Sequence, residues 1–294
     1  MRYCLVGKTP PPFGGVTVYV KRRFNQLVKS GADVEFVSLN SFKSLLLIPF
    51  RKFSIIEVNS VNLFVVLFFY FTFQISRCKF VDHNGSRHYH GIKKSVFNWL
   101  MLRSGGVLVV NSHLLKNYGR GTKIECICPF IPPTLEDEQS IIKSYPNDIL
   151  KVMSGVKFFL NSAWKYIPHE DTDLYGISES LRILDSDKKA TMILAIAEFN
   201  SDEIPLEILS LINKLVNNGQ LYLLVGQKEL WPLFKVAALS LRLTPTDGDS
   251  VSVREALYFR CKVLASDSIE RPDGCNLYQY GDLKDLIRKF KELY

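Results

Sequence analysis

Residues 2–15, Arg2-Tyr3-Cys4-Leu5-Val6-Gly7-Lys8-Thr9-Pro10-Pro11-Pro12-Phe13-Gly14-Gly15, read as a short apolar run, a Gly/Pro loop, and two glycines that open an amphipathic stretch ending near Gly31. An apolar run of this length bounded by turn residues is a buried strand, and the spacing beyond Gly15 is that of a helix closed by glycine. Strand, loop and helix in that order begin a parallel α/β sheet. The pattern recurs outward from this start, with strands predicted at 34–38, 55–59, 79–83, 107–111 and 124–128 and an apolar helix at 61–75. Pro129-Phe130-Ile131-Pro132-Pro133, the acidic run 136–138 and Tyr145-Pro146 then break it. The sequence therefore predicts a first domain over 1–130, a linker over 131–148, a second domain over 149–280 and a closing basic helix over 281–294. In the second domain strands are predicted at 156–161, 192–196, 221–225, 238–243 and 262–265, and helices at 173–183, 204–216 and 250–259.

Of the 294 residues, 47% are hydrophobic and 22% charged, a globular balance that excludes a disordered, collagenous or coiled-coil chain. The net charge of +8 is unevenly placed: residues 1–146 hold 19 Lys and Arg against 8 Asp and Glu. Such an excess favours anionic partners without choosing among them. The six cysteines are too scattered for a disulfide scaffold, and the N-terminus lacks the apolar run of a signal peptide, so a cytosolic setting is expected. The fifteen residues 61–75 fall short of the roughly 20 that span a bilayer and are expected to form a buried helix over the sheet. Residues 42–53, apolar between Lys43 and Arg51-Lys52, have two open readings: ordinary packing, or docking at a membrane interface.

Gly7-Lys8-Thr9 lacks the upstream glycine of a P-loop, since Arg2 stands there, and no G-x-G-x-x-G follows the first strand. Asp82, His83, His88 and His90 could ligate a metal, but a solvated or substrate-facing loop is the favoured reading. The informative stretch is Thr244-Pro245-Thr246-Asp247-Gly248-Asp249-Ser250-Val251-Ser252-Val253-Arg254-Glu255-Ala256-Leu257, followed by Val263-Leu264-Ala265-Ser266-Asp267. A strand enters a turn and a helix starts near Ser250, so backbone amides there could hold a diphosphate and the carboxylates of Asp247 and Glu255 could accept from sugar hydroxyls. The competing reading makes Asp249 and Ser250 helix caps and Glu255 a solvated side chain.

These residues resemble the E-x7-E signature of the retaining family-four glycosyltransferases, in the form found in bacterial O-antigen and capsule transferases. Phe13-Gly14-Gly15 resembles that family's N-terminal glycine loop, Asp82-His83-Asn84-Gly85 its post-strand His loop, and 129–133 its inter-domain linker. Asn161-Ser162-Ala163-Trp164-Lys165 and Asp173-Leu174-Tyr175-Gly176 resemble the start of its donor domain. The likeness runs in order along most of the chain and is specific only from Thr244 to Asp267. It implies the GT-B architecture, two facing Rossmann-like domains with a central cleft.

It also implies metal-independent, retaining transfer of a sugar from a nucleotide diphosphate, UDP by expectation, without further cofactor. Glu255 would accept from the ribose and Asp247 would lie by the transferred hexose. Gly248, Asp249, Ser250, Val251 and Ser252 would contact that sugar, Gly14, Gly15 and Lys165 would face the leaving diphosphate, and His83 would stand near the sugar or acceptor. The acceptor would be a lipid-linked saccharide of surface-polysaccharide biosynthesis, met by a peripheral protein on the inner face of the cytoplasmic membrane. Lys21, Arg22, Arg23, Lys43, Arg51 and Lys52 are the cations expected to meet anionic lipid. Three departures stand out: Asp247 replaces the family's usual Glu, His169-Glu170-Asp171 stands where a second cation is usual, and the chain is shorter than most relatives. They motivate an alternative, a catalytically weak relative acting as a binding or partner subunit. Nucleic acid is not an expected partner, because the basic residues lack interleaved aromatic platforms.

Overall fold

The structure, a computed structural model, describes residues 2–83, 89–247 and 249–294. The chain divides into two compact units, residues 1–131 and 132–294. The first contains β1 (Arg2–Gly7), α1 (Gly15–Lys29), β2 (Asp33–Ser38), α2 (Phe42–Leu46), β3 (Ile55–Val58), α3 (Leu63–Phe71), β4 (Cys78–Asp82), α4 (Gly91–Met101), β5 (Gly106–Val109) and β6 (Ile124–Cys126). Its six strands form one parallel sheet in the order β2-β1-β3-β4-β5-β6. Leu5, Val6, Ile56, Val58, Phe80 and Val81 are buried on both faces of that sheet. This is why its strands read as unbroken apolar runs rather than alternating ones.

The second unit contains α5 (Glu138–Ile142), α6 (Asn147–Gly155), β7 (Phe159–Ala163), a hairpin of β8 (Pro168–His169) and β9 (Thr172–Asp173), α7 (Ile177–Ser186), β10 (Met192–Ile196) and α8 (Leu206–Asn217). It continues with β11 (Leu221–Val225), α9 (Trp231–Phe234), β12 (Leu239–Arg242), α10 (Val251–Tyr258), β13 (Lys262–Ser266), β14 (Cys275–Tyr278) and α11 (Leu283–Leu293). Its main sheet is again parallel, in the order β11-β10-β7-β12-β13-β14. In each sheet the chain runs outward one way from the founding strand and then the other. The order therefore reverses between β1 and β3 and between β7 and β12, and loops leaving the carboxyl ends of those strands are free to meet a ligand.

Several elements depart from the sequence expectation. Residues 132–155 contain α5 and α6, and Tyr145 and Ile149 are buried in the second unit's core with Trp231. β7 begins at Phe159 rather than 156 because α6 runs to Gly155 and Val156 is exposed beyond it. α7 begins at Ile177 because the Asp173 carboxylate accepts from the amides of Tyr175, Ile177 and Ser178, which fixes the helix start there. The helix expected over 61–75 stops at Phe71. Phe73 at φ +57 donates to Tyr70 and Gln74 donates to Phe69, the backbone signature of a Schellman C-terminus. Nor is that helix buried all round, since Phe64 and Phe71 are 82% and 70% exposed.

One buried ion pair escaped the sequence reading. Glu57 on β3 is fully buried, accepts from the Tyr3 hydroxyl and pairs with Arg23 Nε of α1 at 3.2 Å. Removing one partner of such a pair leaves an uncompensated charge indoors. Arg23→Met is therefore expected to destabilise the protein by about 3–5 kcal/mol in urea unfolding, and adding Glu57→Gln should recover part of the loss.

Candidate functional site

At the carboxyl end of β12 the chain turns through residues 243–250 into α10, and three arginines organise that turn. Arg242 meets Asp247 with two parallel hydrogen bonds, Nε and Nη2 each 2.7 Å from a carboxylate oxygen. Arg271 adds a third from Nη1 to Asp247 Oδ2 at 2.9 Å. The same guanidinium donates to the Thr244 carbonyl, the Ser266 carbonyl and the Ser266 hydroxyl, which ties the turn to the end of β13. Burial on its own would raise the Asp247 acid, but Arg242 and then Arg271 outweigh it and hold the carboxyl below its ordinary range. Asp249 is gripped in the same forked manner by Arg254, at 2.6 Å through both nitrogens.

The turn is also braced from the side. Gly176 has φ +66, and a Cβ there would lie 2.4 Å from Leu243 Cβ, so only glycine allows the chain before α7 to pack against the end of β12. The Asn161 amide of β7 secures that chain through the Gly176 carbonyl and the Ser180 hydroxyl. Ser250 occupies the N-cap position of α10 without a side-chain cap bond, its hydroxyl 3.0 Å from that of Ser252. No acidic residue lies in the first turn of α10, so its leading amides keep their partial positive charge.

Glu255 lies inside α10 and is only 7% exposed, which removes the solvated-side-chain reading. Burial, then the charge of Glu229 and then that of Glu255, pushes the Tyr145 phenol up. Lys165, just beyond β7, is a surface cation paired with Glu203 at 2.9 Å. Gly248 lies outside the described residues. Val251 and Ser252 are half-buried in the first turn of α10.

In the first unit, Gly14 is the extended N-cap of α1, with Gly15 the first helical residue. The Gly14 amide donates to Thr17 Oγ1, and nothing lies within 4 Å of a Cβ built on Gly14, so the turn is open to an approaching group. His83, one residue beyond β4, has Nε2 3.0 Å from Asn59 Oδ1. Because Asn59 Nδ2 faces the Val6 carbonyl, its Oδ1 is the acceptor, so His83 carries its proton on Nε2 and keeps Nδ1 as an acceptor. Burial lowers this imidazole to about 4.

A cavity of about 90 Å³ in the same unit is lined by Val61, Asp82, Tyr89, His90, Lys94, Phe97, Asn117 and Tyr118. Tyr118 donates to Asp82 at 2.7 Å. His88 lies outside the described residues, among which no group of three His, Cys, Asp or Glu is placed to hold a metal.

The six cations expected at lipid are placed differently from one another. Arg22 is 6% exposed and donates to the Ile131 carbonyl, and Arg23 is committed to Glu57. Arg51 pairs with Glu35, and Lys21 is half-buried. Lys43 and Lys52 alone among the six are exposed, next to exposed Phe42 and Phe50. The sequence reading missed Arg242 and Arg271. Arg242 lies within the 238–243 strand and could have been paired with Asp247 from proximity, whereas Arg271 is too distant in sequence to be found that way.

No protein-family model and no curated protein matches the chain. Solved structures do. HepE of Anabaena, in complex with UDP-glucose, superposes with a TM-score of 0.66 at 13% identity, covering 99% of this chain and 89% of that one. The fold is that of the GT-B glycosyltransferases. A glycosyltransferase from Rickettsia africae gives 0.64 at 15% identity over 99% and 88% of the two chains. WaaG, a glycosyltransferase involved in lipopolysaccharide biosynthesis, gives 0.61 at 10% over 99% and 90%.

Two outcomes follow from these contacts. Asp247→Ala should unpair Arg242 and Arg271 and lower stability by about 3 kcal/mol or more, read from chemical unfolding. His83 titrates lower in the folded protein than its free value near 6.5. Folding therefore holds it neutral, and the stability so gained is full above pH 6.5 and is lost as pH falls toward 4. The loss is about 3 kcal/mol at most, and His83→Gln should flatten that part of the stability–pH curve relative to wild type.

Proposed function

We propose that the protein is a retaining, metal-independent glycosyltransferase. It transfers a sugar from a nucleotide diphosphate, UDP-linked, to a lipid-linked saccharide acceptor in surface-polysaccharide biosynthesis. The observation that carries this reading is the pinned turn after β12. It lies where the sheet order reverses and delivers the N-terminus of α10, without a side-chain cap, together with a buried Glu255. HepE, of the same fold, has been captured with UDP and with UDP-glucose, which supports that donor class.

In this reading Glu255 accepts from the nucleotide ribose and the amides around 248–252 contact the sugar. Asp247 acts as a positioning residue, since both its oxygens already carry arginine hydrogen bonds. As the anomeric carbon–oxygen bond breaks, its electron pair stays with the departing diphosphate, and the positive end of α10 stabilises the growing charge. The acceptor hydroxyl attacks from the same face and gives its proton to that phosphate, so no separate protein base is needed. In the first unit, Gly14 and Gly15 offer the N-terminus of α1 to an anion. His83, through Nδ1, and the cavity of the same unit hold the acceptor hydroxyls. The protein works on the inner face of the cytoplasmic membrane, with Lys43 and Lys52 among its contacts with anionic lipid.

A second reading, a weak relative serving as a binding or partner subunit, is favoured by Lys165, whose ammonium is engaged by Glu203. Calorimetry and donor breakdown separate the two. An active transferase binds UDP and slowly hydrolyses a UDP-sugar without acceptor, and Glu255→Ala weakens UDP by about 10- to 100-fold, the scale of a charged hydrogen bond. UDP binding without hydrolysis of any nucleotide sugar, or no UDP binding by wild type, contradicts the transferase reading and supports the second.

A further inference from the structure

α3, Leu63-Phe64-Val65-Val66-Leu67-Phe68-Phe69-Tyr70-Phe71, is apolar on every side yet lies on the surface. Val66 and Phe69 face the core, and Phe64 and Phe71, seven residues apart on one stripe, face outward. A helix apolar all round belongs in a core or a bilayer, and nine residues cannot cross one. Just past its end Phe73 is 90% exposed at φ +57, in the position where a Schellman terminus favours glycine. The sequence thus places an aromatic side chain outside at the expense of backbone strain.

α4 repeats the theme. Ile92, Val96 and Trp99 recur at helical spacing and are exposed, Ile92 by 83%. The two stripes lie side by side, because α3 packs on α4 and the Tyr70 and Trp99 rings meet edge to face at 5.2 Å. Right-handed crossovers from β3 to β4 and from β4 to β5 put both helices on the same face of the sheet.

The sequence around these two helices is one-sided in charge. Residues 58–124 contain nine Lys and Arg and a single acid, Asp82, which is buried. Lys93 and Lys94 are exposed in the first turn of α4, and Arg103 lies over the Trp99 ring at 3.7 Å.

We infer that the α3–α4 face is a docking surface for an anionic lipid bilayer, lying flat with Phe64, Phe71, Phe73 and Ile92 in the headgroup and acyl boundary and the surrounding cations on lipid phosphates. A lipid surface suits this combination because it offers apolar depth and negative charge together over a broad, featureless area. α4 also lines the cavity beside Asp82 through Lys94 and Phe97, so docking brings that cavity to the membrane. The inference rests on the membrane setting of the proposed function and assigns it a face, and it does not depend on the donor reading.

The test is flotation of the full chain with phosphatidylcholine vesicles, with and without phosphatidylglycerol. Wild type should float with the anionic vesicles at low salt and less at high salt. Phe64→Ser/Phe71→Ser, at outward positions, should lower partitioning by about tenfold. Phe73→Gly should also lower partitioning while leaving or raising the thermal midpoint, because glycine adopts φ +57 without strain. UDP calorimetry on the same variants should match wild type, which keeps this claim separate from the donor site. Three results would overturn it: wild type that does not float, variants that float as well as wild type, or variants that lose only a dimer seen by sedimentation, which would give the face to a second copy of the chain.

Discussion

The conformation of the turn after β12 depends on one largely enclosed acid held between two guanidinium groups. Asp247 accepts three hydrogen bonds from Arg242 and Arg271, and Arg271 also donates to Thr244 and Ser266. A buried pair of this kind adds little net stability over apolar packing, since dehydrating the charges offsets most of their attraction. What it supplies is geometry. The planar fork of an arginine fixes distance and angle together, so the carboxyl ends of β12 and β13 are held in one register and α10 starts in one orientation. A site that stabilises developing charge, as proposed for this turn, needs its dipoles set before the reaction begins.

The same physics is used twice. Each unit has a parallel sheet buried on both faces, so polar function is driven to the strand ends, where the backbone can carry it. In the first unit the founding strand leads into the Gly14 turn, and the next two strands on one side, β3 and β4, lead into Asn59 and His83, which are hydrogen bonded to each other. In the second unit the equivalent positions are taken by Lys165 after β7 and the Asp247 turn after β12. Helices starting at these ends point their positive poles toward the loops, which suits an anionic ligand before any side chain is considered.

The central strands were legible because burial on two faces leaves a continuous apolar run, as at Met192–Ile196, where all five residues are buried. Edge and short elements were less so. β14 is half-exposed with Asn276 in it, and α6 follows Pro146 in a stretch whose proline and acidic neighbours read as a linker. The Thr244–Asp267 segment announced its turn and helix, and Glu255 is indeed enclosed. The contacts of Asp247 were not readable, because Arg271 reaches it only through the folding of β13 and the loop beyond. Hydropathy alone misplaced α3, since a helix apolar all round gives no signal for which stripe stays outside.

Hydrogen exchange with and without UDP tests the central claim most directly. The account predicts slowed exchange of backbone amides across residues 244–255, at the turn and the start of α10, when UDP is bound. Exchange there unchanged while UDP demonstrably binds, with protection confined to other segments, would contradict it.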